Sequence, residues 1–324
     1  MHPLRLLAAL PLFVAGLAQA QAPAWPAAKP ITLIVPYSAG GSVDFISRMV
    51  ATRLGERLKQ SVVIENVSGA GGAIGVAKAA AAAPDGYTIV AAPDSTIAIG
   101  KLVNPAAYKF DPLKDLTPVG MLNTAPMVLV ARPGLPVKSY DDFVKLAKAS
   151  PGKYSYASSG NGGATHMAME YYKSLSGLRI VHVPYRGTGP ALNDVVGGQV
   201  DMIFDTLASS YPHIKAGTLI PMAVAAPQRA GELPNVPTFV ETGLKSFNEG
   251  FWNGVLAPAG LPPEVLKTLH AATLRALRTQ AVKDRYAATG ALVVEDTPEA
   301  FAALITADVA KWKKVAEFGK ISAD

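Results

Sequence analysis

The sequence contains no cysteine among its 324 residues. This absence excludes disulfide bridges, thiolate nucleophiles and cysteine-based metal sites. Aromatic residues make up only 7% of the chain, and no arginine-rich stripe is interleaved with them, so we expect no binding to nucleic acid. The hydrophobic fraction of 50% is still enough for a sizeable core, and the length suits one large or two ordinary domains.

Common catalytic and cofactor motifs are also missing from the sequence. It has no G-x-S-x-G elbow, no H-E-x-x-H pair and no Walker A lysine. The glycine-rich stretch 69–75 does not complete a G-x-G-x-x-G fingerprint, and its glycines fit a tight strand-to-helix corner. His166 and Glu170 stand four residues apart without further ligands nearby, which favours a polar pair over a metal site. We therefore expect no catalytic residues, no cofactor and no metal.

The N-terminus has the pattern of an export signal. Arg5 precedes an apolar run over residues 6–17, and Ala18-Gln19-Ala20 forms a small-x-small cleavage site. The run is too short to span a bilayer. We predict a signal peptide over residues 1–20 and a mature chain that begins near Gln21.

Strand-like and helix-like segments alternate in the same order twice, about 120 residues apart. The first unit has predicted strands at 31–37, 61–66 and 87–92 and helices at 42–59 and 73–83. The second has predicted strands at 153–158, 179–184 and 200–205 and helices at 164–176 and 188–196. This alternation predicts two α/β domains, each with a mainly parallel sheet flanked by helices. Ligands of such sheets bind beyond the carboxyl ends of the strands.

Two further apolar runs mark the places where the chain passes between the predicted domains. Residues 127–131 and 220–226 are predicted as strands at these crossings. A third run at 252–257 is followed by helices predicted at 263–279, 282–289 and 298–318. Because this tail is expected to pack back on the first unit, we predict a discontinuous domain 1 (21–123 plus 227–324) and a domain 2 (124–226).

Two glycine-rich turns, residues 36–44 and 156–166, each follow a predicted strand and open a predicted helix. A turn of this kind directs backbone N–H groups and the positive end of a helix dipole at one point, which suits a carboxylate. The pseudo-repeat places both turns at equivalent strand ends. We call them the first turn and the second turn.

Several side chains near these turns have two possible roles. Asp44 is either a favourable charge in a first helical turn or a hydrogen-bond acceptor for a ligand. Asp205, at the end of a predicted strand, has the same two interpretations. Tyr37 and Tyr185 either cover a ligand or pack against the protein, whereas His182 is expected to be a core or strand-end histidine.

A set of motifs, taken together and in this order, is diagnostic of a family. They are Pro36-Tyr37-Ser38-Ala39-Gly40-Gly41 with Asp44, Glu65-Asn66 with Gly69-Ala70-Gly71-Gly72 and Gly75, Pro84-Asp85-Gly86-Tyr87-Thr88, His182-Val183-Pro184-Tyr185-Arg186-Gly187 with Pro190-Ala191, Gly198-Gln199-Val200-Asp201, Pro234-Asn235-Val236-Pro237-Thr238 and Ala257-Pro258-Ala259-Gly260. The sequence resembles the Bug (TctC-like) proteins, which are extracytoplasmic solute receptors of tripartite tricarboxylate transporters. The resemblance covers essentially the whole mature chain.

The resemblance implies a type II periplasmic binding protein with two α/β domains, two crossing strands as a hinge and a cleft that closes on a small carboxylated solute. In this family a ligand carboxylate is held largely by backbone N–H groups and ordered waters of the two glycine-rich turns. Carried over by position, the implied ligand-binding residues are Tyr37, Ser38, Ala39, Gly40, Gly41, Asp44, Ser158, Ser159, Gly160, Thr165, His166 and Asp205.

The sequence departs from the family pattern at two positions and leaves the far end of the ligand open. Val67-Ser68 stands where many relatives have a basic residue and proline, and Tyr37 adds a hydroxyl that either binds a ligand or faces water. The distal end of the solute is expected to contact variable side chains such as Asp94, Ser95, Asn123 or Trp252.

The sequence therefore predicts a monomeric, non-enzymatic receptor in the periplasm of a Gram-negative bacterium. It would capture a small carboxylate and deliver it to the membrane subunits of a tripartite tricarboxylate transporter. Two alternatives stay open at this point. One is a ligand sensor for a signalling partner, and the other is an exported hydrolase or lyase that uses the same cleft.

Overall fold

The computed structural model describes residues 25–40, 42–247, 250–288 and 291–321. Within these ranges the strands are β1 (Ile31–Val35), β2 (Val62–Asn66), β3 (Thr88–Pro93), β4 (Leu116–Ala125), β5 (Met127–Ala131), β6 (Ser155–Ser158), β7 (Val181–Pro184), β8 (Met202–Thr206), β9 (Ile220–Ala225) and β10 (Phe251–Pro258). The helices are α1 (Ser42–Leu58), α2 (Ala73–Ala80), α3 (Gly100–Val103), α4 (Tyr140–Ala149), α5 (Ala164–Ser176), α6 (Thr188–Val196), α7 (Leu207–Lys215), α8 (Pro263–Leu277), α9 (Gln280–Ala288) and α10 (Pro298–Gly319). The predicted signal peptide lies outside the described residues.

The described strands form two sheets with equivalent topology. Sheet A has the order β2-β1-β3-β10-β4, and sheet B has the order β7-β6-β8-β5-β9. Strands β2, β1 and β3 are parallel, as are β7, β6 and β8, whereas β10 and β5 are antiparallel to both of their neighbours. Four of the five strands in each sheet therefore run in the same direction, which confirms the mainly parallel sheets and adds one antiparallel strand to each.

The antiparallel strands explain how the chain passes between the sheets. Strand β4 is an edge strand of sheet A, and only Pro126 separates it in the chain from β5 of sheet B. The return runs from β9 of sheet B to β10 of sheet A. Each antiparallel strand is thus the first one that the chain enters after a crossing. The domain boundaries near 123 and 226 stay a prediction.

Helices cover both faces of each sheet, so the central strands are apolar along their whole length. In β1, Ile31 and Leu33 belong to the core beneath α1 and α8, whereas Ile34 belongs to the core on the opposite face of sheet A. In β5 of sheet B, Leu129 and Val128 divide between two cores in the same way. This arrangement leaves the strand ends as the places where the chain can present polar groups.

The last helix, α10, contacts elements of both sheets. Near its start Phe301 is fully buried and packs edge-on against Trp252 of β10, with ring centroids 5.0 Å apart. Near its end Trp312 lies edge-on to Tyr171 of α5, 5.9 Å between centroids. The tail that was predicted to pack on the first unit therefore also contacts the second.

No helix in the described part of the chain has the length and apolar composition needed to cross a membrane.

Candidate functional site

Both glycine-rich turns lie at the carboxyl edge of a sheet. The first turn leaves β1 and enters α1, and the second leaves β6 and enters α5. Strands β1 and β6 occupy equivalent positions in the two sheet orders. The pseudo-repeat in the sequence is thus matched by equivalent positions of the two turns.

Asp44 braces the first turn from within. It is almost fully buried, and its carboxylate accepts hydrogen bonds from the N–H of Gly40 (2.9 Å), from Nε of Arg48 (2.8 Å) and from Nδ2 of Asn66 (2.8 Å). Asn66 also donates to the carbonyl of Tyr37 at 3.0 Å. The hydrogen bond from Arg48 lowers the pKa of Asp44 to about 2. Asp44 therefore shapes the turn, and both of its oxygens are occupied.

The exposed part of the first turn offers backbone donors. Ser38, Ala39 and Gly40 are exposed, and Gly40 donates its N–H to Asp44. Among the described residues, no acceptor faces the N–H groups of Ser38 and Ala39. Gly41 lies outside the described residues. The free amides next to the start of α1 are the kind of donor that a carboxylate requires.

Tyr37 connects the first turn to two neighbouring loops of sheet A. Its hydroxyl lies 2.6 Å from Oγ1 of Thr96, which donates in turn to the carbonyl of Gly71 at 3.0 Å. Burial raises the pKa of Tyr37 above its usual value. The hydroxyl of Tyr37 is therefore hydrogen-bonded inside the protein, where it joins the first turn to the loop after β3.

The glycines after β2 have a packing role. A Cβ atom on Gly75 would lie 2.6 Å from the carbonyl oxygen of Val67 and 2.8 Å from Cα of Pro36. Gly72 has a φ of 96°, and a Cβ there would lie 2.8 Å from Oγ1 of Thr96. These close approaches support the interpretation of this stretch as a tight corner.

The second turn is held by hydrogen bonds between its own residues. Ser159 donates its N–H to Oγ1 of Thr165 at 2.8 Å, and Gly160 donates to Oγ of Ser158 at 3.1 Å. Gly162 donates its N–H to Nδ1 of His166 at 3.0 Å. Ser158, Ser159, Gly160, Thr165 and His166 are therefore brought together, but mainly to fix the shape of the turn.

The remaining donors of the second turn are at the start of α5. This helix of 13 residues begins after Gly163, which has no side chain that could cap it. The N–H groups of Ala164, Thr165 and His166 have no acceptor among the described residues. An uncapped helix start presents several N–H groups and a partial positive charge, which together favour an anion.

Two histidines lie under the second turn. The rings of His166 and His182 are stacked with centroids 3.8 Å apart, and Nε2 of His182 lies 2.6 Å from Oγ of Ser158. Burial lowers the pKa of both histidines to about 4, with Lys173 adding to the effect on His166 and His166 adding to the effect on His182. Both rings are therefore neutral at neutral pH.

Asp205 lies at the carboxyl end of β8 and is nearly fully buried. It accepts a hydrogen bond from Oγ of Ser210 at 3.1 Å, and burial raises its pKa. The described residues show no hydrogen bond or ion pair between Asp205 and either turn, nor between one turn and the other. The second turn does contact an element of the other unit. Gly162 lies so close to Val103 of α3 that a Cβ on Gly162 would be 2.1 Å from Cγ1 of Val103.

Three residues suggested as contacts for the distal end of a ligand are committed to the protein interior. Trp252 packs on Phe301 and donates its indole N–H to Asp308 at 2.7 Å. Asp94 is buried, and burial together with the charge of Asp308 raises its pKa well above the usual value. Asn123 is buried and accepts from Nδ2 of Asn253 at 3.1 Å.

Asn66 was predicted only as part of a family motif and Thr96 was not predicted at all, although both hold the first turn. The signal was available, since each comes at or just after the carboxyl end of a strand, the same criterion that selected Asp205. The Ser158–His182 contact was also missed, because it joins residues 24 positions apart through the parallel pairing of β6 and β7.

Known proteins are similar to this chain in sequence and in fold. Residues 46–319 match the model of the tripartite tricarboxylate transporter family receptor. Protein BugT of Bordetella pertussis is 36% identical over 320 residues, which cover 97% of each chain.

Two solved structures of relatives from Rhodopseudomonas palustris contain carboxylates. Rpa4515 with adipate is 32% identical, with a TM-score of 0.76 over 93% of this chain and 100% of that one. MatC with bound malate is also 32% identical, with a TM-score of 0.73 over 90% of this chain and 99% of that one. The two-domain architecture expected from the sequence is thereby confirmed.

Proposed function

Because the chain belongs to the tripartite tricarboxylate transporter receptor family, we propose that it is a periplasmic receptor for a small organic acid. It captures the acid between the two sheets and presents it to the membrane subunits of a tripartite transporter. The observation that carries this proposal is the pair of turns whose free N–H groups lie at equivalent strand ends.

The proposed site uses the predicted residues in two ways. The N–H groups of Ser38 and Ala39, together with those of Ala164, Thr165 and His166 at the start of α5, hold a carboxylate directly. Gly40 and Gly41 have no side chains and therefore allow its close approach. The side chains that keep the turns in shape act indirectly; they are Tyr37, Asp44, Ser158, Ser159, Gly160, Thr165 and His166. Asp205 lies at the neighbouring strand end of sheet B. Backbone donors are uncharged and fixed, so little reorganisation accompanies binding.

Capture requires the two domains to close on the ligand, and the strands that cross between the sheets act as the hinge for this closure. A ligand that contacts both turns only when the domains are closed shifts the population toward the closed state by its difference in affinity. Adipate and malate, the acids in the two relatives, are dicarboxylates of different length. We propose a ligand of the same class, with one carboxylate between the turns and the other end held by other groups of the cleft.

One observation favours an enzyme, namely the contact between Ser158 and His182, which has the composition of a nucleophile and a base. Three features argue against this use. Ser158 is completely buried, its Oγ already accepts the N–H of Gly160, and the pKa of His182 near 4 makes it a weak base. The contact is better explained as support for the second turn.

A thermal-shift screen tests the proposed function. The mature protein is heated with a panel of mono-, di- and tricarboxylates, and sugars and amines of similar size serve as controls. A ligand that binds only the folded state must raise the melting temperature, and by more as its concentration increases. We expect a rise with at least one dicarboxylate. A panel in which only sugars or amines raise the melting temperature would overturn the proposal.

A further inference from the structure

A cavity runs along α5 in the unit built on sheet B and begins at the second turn, where Asn161 and His166 line it. Its volume is about 540 Å³, within the range of small-molecule sites. It is lined along α5, by the segment 178–182 that leads into β7, and by the end of α10. Gly152 and residues 178–180 precede β6 and β7. The cavity therefore extends from the second turn, at the carboxyl end of β6, to the amino ends of β6 and β7.

The charged side chains of this cavity leave an excess of positive charge. Lys173, Arg179 and Lys320 line it together with one carboxylate, that of Glu170. Oε1 of Glu170 is already bound by the hydroxyl of Tyr156 and by Nζ of Lys173, each at 2.5 Å. The side chains of Arg179 and Lys320 make no ion pair with a described residue. Two cationic groups are thus available to an incoming anion.

The floor of the cavity offers a neutral donor. His166 is nearly buried and lines the cavity with His182. Because Nδ1 of His166 accepts the N–H of Gly162, the neutral ring carries its proton on Nε2. Nε2 lies 3.9 Å from Oε1 of Glu170, which is longer than a hydrogen bond. This N–H is therefore a third group that an oxygen atom of a ligand can reach.

The rim of the cavity is apolar and exposed. Val181 is 50% exposed and Phe318 is 54% exposed, although both are large hydrophobic residues. Both residues line the cavity, so their exposed apolar surface is available to the apolar part of a ligand. A ligand that matched both the cations and this apolar rim would carry an anionic group on an apolar body.

We propose that this cavity is a second binding site, separate from the cleft between the sheets, for small carboxylates with an aromatic or aliphatic body. The carboxylate lies between Arg179 and Lys320, and the apolar body packs between Val181 and Phe318. Since Arg179 belongs to the unit built on sheet B and Lys320 follows α10, the bound acid bridges that unit and the last helix. The cavity shares Asn161 and His166 with the second turn, whereas its two cations, Arg179 and Lys320, take no part in the function proposed for the two turns.

The test is a methyl NMR titration of the mature protein with benzoate. Ile180, which is buried and lines the cavity, reports on the cavity, and Ala39 reports on the first turn. The variant carries Arg179→Gln and Lys320→Gln. The matched control carries Lys109→Gln and Lys267→Gln, which removes the same charge at two exposed positions. Acetate and benzamide are the comparison ligands.

We expect a saturable shift of the Ile180 methyl groups with benzoate. Its dissociation constant rises at least about tenfold in the R179Q/K320Q variant and stays unchanged in the control, because the charge-assisted hydrogen bonds are lost only in the former. Acetate and benzamide bind at least about tenfold more weakly than benzoate. The proposal fails if Ile180 shows no saturable shift, if the variant binds benzoate as the control does, or if either comparison ligand binds as tightly as benzoate.

Discussion

At the scale of single residues, the side chains that matter most in the first turn are those that hold its backbone. Asp44 has both oxygens occupied, and Asn66 joins it to the carbonyl of Tyr37. Such positioning frees the N–H groups of Ser38 and Ala39 to face a ligand. In the proposed site, the side chains that position the backbone donors therefore need not touch the ligand.

Replacing Asn66 with alanine tests this positioning. Asn66→Ala removes three hydrogen bonds, those donated to Tyr37 and Asp44 and the one accepted from Arg48, so the turn is no longer held in the shape that presents its amides. We expect affinity for the acid found in the thermal-shift screen to fall by about tenfold, equivalent to about 1.4 kcal/mol. Isothermal titration calorimetry measures this change. Asn235→Ala, at an exposed position, should bind like the wild type, and equal affinity in both variants would contradict the role of Asn66.

The pKa of His182 near 4 predicts a pH dependence of stability. The folded pKa is below the usual value of 6.5, so between these values the unfolded chain binds a proton that the folded chain does not. The contribution of His182 to the free energy of unfolding is complete above pH 6.5 and is lost as the pH falls toward 4. In His182→Gln, urea unfolding at several pH values should show a smaller loss of stability over this interval.

The control for this pH experiment is Asn235→Gln, a substitution at an exposed position that adds and removes no titratable group. This variant should keep the wild-type pH dependence between 4 and 6.5. A His182→Gln protein whose stability falls as steeply as that of the wild type would show that His182 is not held neutral by the fold.

At the scale of elements, the sequence pattern located most helices and strands. The bounds of α5, α6 and β5 agree with the predicted ones at both ends, because turn residues flank each of these segments. Strand β4 was not predicted. It contains Pro118 and Gly120, residue types that are disfavoured inside a strand. The pairing of β4 with β10 includes register shifts that accommodate them. Helix α7 was also missed, since Pro212 lies inside it.

The contribution of α10 to the fold rests on its anchor in sheet A. The ring of Phe301 lies so close to Gly254 that a Cβ there would be 2.2 Å from Cζ of the ring. Phe301→Ala should lower the free energy of unfolding by about 3–5 kcal/mol, through lost burial and the cavity that remains. Phe318→Ala, at an exposed position of the same helix, should change it by less than about 0.5 kcal/mol. Denaturant unfolding compares the two, and a similar loss in both would contradict this anchor.

At the scale of the whole molecule, two sheets of the same topology place two similar turns at equivalent edges. The repeat and the turns were predictable because they depend on local pattern. The partners of the side chains in the turns were not, since Asn66 reaches Asp44, and His182 reaches Ser158, only through the pairing of β1 with β2 and of β6 with β7. Local sequence thus specifies the donors, and the sheet topology specifies what holds them.

We propose that the two turns bind a carboxylate through backbone N–H groups. The test uses the acid found in the thermal-shift screen and its analogues, in which each carboxylate in turn is replaced by a primary amide. Isothermal titration calorimetry measures the dissociation constant of the acid and of each analogue. Because an ionised acceptor makes the stronger hydrogen bonds, the account predicts that one of these replacements weakens binding by about a hundredfold or more. Amide analogues that all bind as tightly as the acid would contradict it.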